Sequence, residues 1–429
     1  MRSFNSALIT ISVLSFAAVA QEAKPKDVPQ FGWNGDHFFV QSPDGRFSFQ
    51  PYGYVQSDFR IYSGDGSPPN TFTIRRARMG FQGKLDQYYE FAFLIDATDT
   101  NSSLLRDAYV NVRYVPELQL TVGQMVEPFG QEVASVGVTN IDFVERGLTS
   151  LLYPSPAGAF RSPGAMVHGD IAKMVSYWLG AFNGKGSLAN TTSEPEVIGR
   201  LRLYPFRTSS NEYLQGLAFG GGFGIGRSRG LSNEMSFSGV LPERAFTFFP
   251  SLPINGRIMR YNGEATLLVG PLGLRGEYDE LHQNRDALDV GFTNLPAVVA
   301  RAFYVNATFL LTGERRPENG APKASHPFLN PSGSPGIGAW EAKARYSYLW
   351  AKADGDIGPN GVCPTATCSG VPSYKNAVDE FSVGLNWYPQ NLIRYSFDVN
   401  IYRDKDAATV GGQPPQTFVV ILQRVQFKF

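Results

Sequence analysis

The chain has 429 residues, with 38 basic and 38 acidic side chains and a formal net charge of +0 when histidine is neutral. That balance excludes recruitment to nucleic acid or to an anionic surface by bulk charge, so any selectivity has to come from where the charges sit. Aromatic residues reach 13%, glycine is abundant, and no stretch carries an amphipathic period of 3.6, which points to an all-β chain.

Residues 1–20 read as a cleavable export signal. Arg2 supplies the positive start, Ala7 to Val19 is an apolar run too short for a comfortable spanning helix, and Ala18-Val19-Ala20 is a small-residue cleavage site. The mature chain is expected to begin at Gln21. Residues 21–45 are polar, broken by Pro and Gly and without a clear period, and are expected to form a periplasmic tail ahead of a barrel over residues 46–429. In Arg46 to Tyr62 the outward face is Phe47, Phe49, Val55, Phe59 and Ile61, and the inward face Gln50, Tyr52, Tyr54, Gln56, Asp58 and Arg60.

Phe72 to Leu85 places Ala77, Met79, Phe81, Gly83 and Leu85 on one face of a strand and Arg76, Arg78, Gln82 and Lys84 on the other. A soluble core has no use for the second face. A barrel in lipid does, because its outside is apolar and its water-filled inside carries charge. After a short turn at Asp86-Gln87 come Tyr89, Phe91, Phe93 and Ile95, then Ala108, Val110 and Val112 opposed to Asp107, Tyr109, Asn111 and Arg113, then Leu118, Leu120 and Val122. The excursion from Met125 to Pro163 is too long for a hairpin and is expected to be a folded loop with a function.

Beyond it, Val197 to Tyr204 turns Arg200 and Arg202 inward. The strand from Gly216 to Gly226 carries Gly220, Gly222 and Gly224 on one side, leaving luminal room for a loop to press against. Further strands put Arg260, Glu264, Arg275, Glu277 and Asp279 inside, separated by long connections at Arg227 to Gly256 and Gly313 to Gly338. Trp340 to Trp350 alternates cleanly, with Glu341, Lys343, Arg345 and Ser347 inward. The last strands end on Phe429, and a terminal aromatic carboxylate resembles the insertion signal of bacterial outer-membrane barrels. The count of strands is about sixteen, wide enough for an aqueous channel.

Several spans resemble the phosphate-selective porin O and P family. They include Phe72-Thr-Ile-Arg-Arg-Ala-Arg78, Asp107-Ala-Tyr-Val110, Gly123-Gln-Met-Val-Glu-Pro-Phe-Gly130, Phe143-Val-Glu-Arg-Gly-Leu148, Leu311-Thr-Gly-Glu-Arg-Arg-Pro317 and Gly384-Leu-Asn-Trp-Tyr-Pro389. They run in family order over most of the mature chain. The resemblance implies a homotrimeric outer-membrane porin of sixteen strands, with long connections folded into the lumen and arginines along the wall that pass small anions, phosphate or polyphosphate among them. Arg75 and Arg76 match the paired arginines of the family's second strand. Val126 stands where the family commonly carries Lys.

The candidate anion path therefore comprises Arg75, Arg76, Arg78, Arg60, Lys84, Arg113, Arg200, Arg202, Arg260, Lys343 and Arg345. Guanidiniums at 75, 76 and 78 have no acid within their own strand and present planar donors suited to phosphate or carboxylate oxygens. The competing reading pairs them with loop acids such as Glu127, Glu132 or Glu145. A general diffusion porin and a plugged structural or adhesion barrel remain open beside the anion channel.

An enzyme is not expected. Gly184-Lys185 lacks phosphate-loop spacing, His37, His168, His282 and His326 are scattered without ligand spacing, and no Ser, His and acid arrangement stands out. No cofactor, metal or nucleic-acid partner is implied; the surroundings are membrane lipid. Cys363 and Cys368, in a Gly- and Pro-rich loop of an exported chain, are a candidate loop-pinning disulfide.

Overall fold

The computed structural model describes residues 28–35, 37–64, 67–98, 104–155, 160–184, 192–232, 248–288, 294–328, 330, 333–354, 373–405 and 417–429. The expected export signal and the Cys363 and Cys368 pair lie outside these residues. The described strands are β1 (Gln30–Trp33), β2 (Phe38–Gln41), β3 (Phe47–Ser63), β4 (Thr71–Leu85), β5 (Tyr89–Asp96), β6 (Leu105–Val115), β7 (Leu118–Val126), β8 (Arg161–Ile171) and β9 (Val175–Phe182). They continue as β10 (Glu196–Leu203), β11 (Leu217–Ser232), β12 (Pro253–Val269), β13 (Leu272–Arg285), β14 (Leu295–Leu310), β15 (Ala339–Ala353), β16 (Tyr374–Gln390), β17 (Ile393–Asp404) and β18 (Thr417–Lys428).

Strands β3 to β18 pair antiparallel in sequence order, and β18 returns to β3 with Gln426 opposite Gln56 and Leu422 opposite Arg60. The result is a closed barrel of sixteen strands, the number expected from the pattern. Closure follows from the backbone: in lipid an open sheet edge would leave N–H and C=O groups without partners, and pairing the last strand with the first removes the edge. The seam is completed by the terminal residue, whose N–H donates to the Gly53 carbonyl at 3.0 Å while the Gly53 N–H donates back at 2.9 Å. Gly53 is needed there, since a Cβ would lie 2.7 Å from the Phe429 ring and 2.7 Å from the Arg78 carbonyl oxygen.

The described part of the tail, from residue 28 on, carries two strands that its composition did not suggest. β1 and β2 form a hairpin, and β2 pairs with β3 at Val40 opposite Phe49 and Gln41 opposite Ser48. It takes over the β3 edge where β18 has ended, opposite Tyr54. Too few residues alternate in such short strands for the sequence to announce them.

Connections alternate between short turns, as between Val269 and Leu272, and long ones; the short-turn end is the periplasmic end of such barrels. The segment at 311–338 breaks that rule by being long at the short-turn end. Its Arg316 N–H donates to the Gly270 carbonyl at 2.7 Å and its Phe328 N–H to the Pro389 carbonyl at 2.8 Å, so it folds across this mouth and sends the Arg316 side chain inward.

Two features of the interior were not anticipated. The space beside Gly220 and Gly224 is taken by long side chains from neighbouring strands rather than by a loop backbone: a Cβ on Gly220 would meet Glu264 Oε1 at 2.5 Å, and one on Gly224 would meet Glu196 Oε1 at 3.1 Å. In the long-loop half, many inward residues of β13 to β18 are apolar, among a few polar ones such as Gln283, Arg285, Asn376 and Asp404. Leu281, Val298, Ala300, Leu349, Val420 and Leu422 join Leu148, Leu151, Leu152, Phe248 and Phe249 from loops in one buried core inside the barrel.

Candidate functional site

The luminal site is built around the connection between β7 and β8, which folds into the barrel. Its base is closed by the Glu127 N–H donating to the Phe160 carbonyl at 3.0 Å and is packed through Met125, Phe129, Val133 and Tyr153 against Phe182 and Ile198 of the wall. Gly130 starts a single helical turn, α1 (Gln131–Ala134), at φ 73°, with the Tyr153 ring 2.2 Å from where a Cβ would sit. A 3-10 turn at Leu148–Leu152 follows the most tightly held part, residues 141–145.

Six cations of the wall and the short-turn mouth hold these residues through their backbone carbonyls, the Asp142 carboxylate and the Phe143 ring. The Arg394 guanidinium donates to the Ile141 carbonyl at 2.9 Å, and Lys343 Nζ to the Asp142 carbonyl at 2.9 Å. Arg424 donates to the Val144 carbonyl at 2.5 Å and Arg345 to the Glu145 carbonyl at 3.1 Å. The Asp142 carboxylate takes Arg275 at 2.7 Å and also Arg316. Phe143 is fully buried between the Lys343 ammonium, 4.9 Å from its ring centre, and the Arg345 guanidinium at 4.4 Å, a pair of cation–π contacts.

Glu145 is the centre of the densest charge cluster. Its carboxylate accepts from Arg60 at 2.6 Å, Arg75 at 2.9 Å and Arg424 at 3.0 Å, with Arg76 3.7 Å away. Asp58 takes the other sides of Arg60, at 2.7 Å, and Arg424, at 2.6 Å. Four guanidiniums thus share two carboxylates. Arg75 and Arg76, consecutive in sequence, both reach this cluster because a β-bulge opposes Gln56 to Arg76 and Ser57 to Ile74, leaving Arg75 as the extra residue. Arg75 is the accessible member, with 22% of its side chain exposed against 6% for Arg76.

The electrostatics of the loop follow from this crowding. Burial alone would raise the carboxyl groups of Glu145 and Asp142, but Arg75, Arg424 and Arg60 hold the first well below the usual range, and Arg275 and Arg316 do the same for the second. Burial dominates for Glu132, which is pushed up, and for Arg146, which is pushed down to about 10.

Of the residues expected on the path, Arg60, Arg75, Arg76, Arg200, Arg202, Arg260, Lys343 and Arg345 converge on the loop. Arg202 donates to Ser135 Oγ of the loop at 2.7 Å, Arg200 bonds the same hydroxyl and pairs with Glu264 at 2.7 Å, and Arg260 donates to the Leu152 carbonyl at 3.2 Å. Arg78, Lys84 and Arg113 do not. Arg78 pairs with Asp96, directly opposite on β5, at 2.7 Å; Arg113 is near Glu90 at 3.4 Å; and Lys84 is exposed in a luminal cavity of about 550 Å³ bounded by Gln50, Tyr109, Asn111 and His168.

For Arg75 and Arg76 the structure shows the pairing with a loop acid, Glu145, that competed with the free-cation reading, while Arg78 pairs with an acid of the neighbouring strand. Their partners come from a neighbouring strand and from a loop seventy residues away, which the sequence of one strand does not display. Asp142 and Arg316 were not singled out as a pair; the quoted Leu311 to Pro317 span contains the arginine, but nothing local joins it to residue 142.

A family model described as "Phosphate-selective porin O and P" matches residues 49–220 and 250–429. The chain belongs to this family. No curated protein matches it. Among solved structures, in-vitro folded OmpT of Vibrio cholerae in its trimer form superposes with a TM-score of 0.54 at 10% identity, covering 90% of this chain and 100% of that one. An anion-selective porin from Comamonas acidovorans gives 0.55 at 12% identity, covering 90% and 100%, and Salmonella typhi OmpF in complex with daunomycin gives 0.54 at 12%, covering 93% and 100%. Family and fold together identify an outer-membrane porin of bacterial type.

Proposed function

We propose that this porin is a passive channel for small anions, with oxyanions of phosphate size as its preferred solutes, and that it works as a homotrimer after removal of residues 1–20. The observation that carries the reading is the surplus of two positive charges where Arg60, Arg75, Arg76 and Arg424 surround Asp58 and Glu145. In a low-dielectric wall such a surplus costs free energy that an anion relieves, and guanidinium forks match oxyanion geometry. Arg75, part exposed and on the bulge, is the group an entering anion meets. The solute gradient drives flow, and no cofactor or catalytic group is invoked. The family description and the name of the Comamonas neighbour support an anionic solute, while Val126 in place of the family's usual Lys weakens the case for phosphate over other anions.

The plugged-barrel reading also has an observation behind it, because most of the central cations are buried and paired. The two are separated by the Arg75→Ala/Arg76→Ala variant in a planar bilayer. An anion channel loses part of its anion preference and keeps its conductance class. A plugged barrel conducts negligibly before and after.

A further inference from the structure

A second recess opens in the short-turn half of the lumen, along β3 to β8. It is the cavity that holds Lys84, about 550 Å³, within the range of about 300–1,000 Å³ that small-molecule sites occupy. Two neighbouring rows of the sheet ladder build its wall. One runs through Gln50, Gln82, Ala92, Tyr109 and Gly123, each directly opposite the next across β3 to β7. The other runs through Ser48, Lys84, Glu90, Asn111, Thr121 and Met166 across β3 to β8. Neither row contains an arginine. The formal charges that line the cavity are balanced at short range, since Lys84 stands opposite Glu90 and Asp107 is gripped by Arg161 through two bonds at 2.8 and 3.2 Å. Without a surplus of one sign, the recess has no field to collect ions.

What it does present is amide and hydroxyl chemistry. Gln82 Nε2 donates to Gln50 Oε1 at 3.2 Å, which leaves the Gln50 side-chain NH₂ and the Gln82 side-chain oxygen, a donor and an acceptor side by side, with no hydrogen-bond partner among the described residues. The half-buried Tyr109 has none there for its hydroxyl either. Asn111, by contrast, is committed to the wall: it donates to Glu90 at 3.1 Å and to Gln119 at 2.9 Å and accepts from Thr121 at 3.0 Å. One side of Tyr109 packs on the loop base around Met125 and Phe129, and its cross-strand neighbours Ala92 and Gly123 are too small to cover the rest of the ring. Met125 and Met166 add apolar, adaptable surface beside it.

We propose that this recess binds a neutral polyhydroxylated solute of mono- or disaccharide size. The Gln50 amide donates to one hydroxyl, the Gln82 oxygen accepts from the next, and the solute's C–H face lies against Tyr109. A hydroxyl both donates and accepts, so adjacent hydroxyls match a donor and an acceptor presented side by side. A carboxylate or fully ionised phosphate only accepts and would set an oxygen against the Gln82 oxygen; a cation would meet the Gln50 N–H groups. The site lies apart from Arg60, Arg75, Arg76 and Arg424 and does not depend on what those residues conduct.

The test uses the full barrel in a detergent without a sugar headgroup. Binding of maltose is measured by titration calorimetry against polyethylene glycol of matching size, which carries no run of hydroxyls. Saturable binding of maltose below about 100 mM, with none for the polymer, is the expected result, and Gln50→Ala/Gln82→Ala/Tyr109→Phe is expected to bind at least about tenfold more weakly. No saturable binding by the unaltered barrel in that range, equal binding of the polymer, a variant within about twofold of the unaltered protein, or full displacement of maltose by equimolar inorganic phosphate each overturns the assignment. If the triple variant fails to fold, Gln50→Glu, which turns the free donor into an acceptor, takes its place with the same expected loss. Calorimetry needs no open channel, so the result stands even for a barrel that fails to conduct or conducts without anion preference.

Discussion

Glu145 is the residue whose replacement tests the luminal architecture most sharply. Glu145→Gln keeps shape and one oxygen, and Oε1 is the atom that accepts from Arg60, Arg75 and Arg424. Hydrogen bonds are therefore largely preserved. What is lost is the charge, and the new amide N–H₂ faces Arg76, a donor against a donor. Removing one partner of a buried ion cluster costs about 3–5 kcal/mol, enough to loosen a loop held elsewhere by Asp142 and backbone carbonyls without unfolding the barrel. The local surplus rises from two positive charges to three. One extra unit charge is worth about 0.8 kcal/mol to an ion passing at a separation of about 5 Å, even at the dielectric constant of bulk water, roughly a fourfold gain for an anion and a like loss for a cation. The expected result is a stronger anion preference by reversal potential in a KCl gradient, together with faster proteolysis of the segment at 127–160. If the reversal potential is unchanged while the loop stays protected, permeating ions do not sense this cluster and the reasoning fails.

Other consequences can be checked separately. Because Asp142 and Glu145 are held below the ordinary carboxylate range, their contribution to loop docking is complete above about pH 5, declines as pH falls below the ordinary carboxylate values and is gone only below their lowered ones; protease protection of the loop is expected to persist at pH 4 and to fail in stronger acid, and release at pH 5 to 6 would contradict the assignment. Gly130→Ala places a methyl group against Tyr153 at a left-handed φ and is expected to undock the loop while sixteen-strand closure, read by heat-modifiable gel mobility, is retained. Gly53→Val is expected to do the reverse, slowing closure at the β3–β18 seam by displacing Phe429, at a cost of about 1–3 kcal/mol.

The barrel was legible because its two faces meet opposite solvents. Alternation in β15, with Glu341, Lys343 and Arg345 against Tyr346, Tyr348 and Trp350, fixes register and orientation together. The inward apolar residues Leu349, Ala351 and Val298 escaped that logic, because a loop core inside the barrel replaces water there and an apolar residue at an inward position looks the same as noise in the pattern. The arginines of the site were legible one by one, as inward bases on strands. Their partners were legible only in part: Glu145 was one of three loop acids that could pair with them, with nothing local to choose among the three, Asp142 was not singled out, and Arg75 enters the lumen only through a bulge that shifts one residue out of the dyad count. Charge that is paired across a fold of this contact length leaves no local trace in sequence.

The central claim is that surplus guanidinium charge in the lumen selects anions. The most direct test is the reversal potential of the unaltered barrel in a planar bilayer under a chloride gradient, recorded before and after adding phosphate. Anion preference, with chloride current reduced by phosphate, is the predicted result; cation preference, or an open channel indifferent to the sign of the ion, would contradict it.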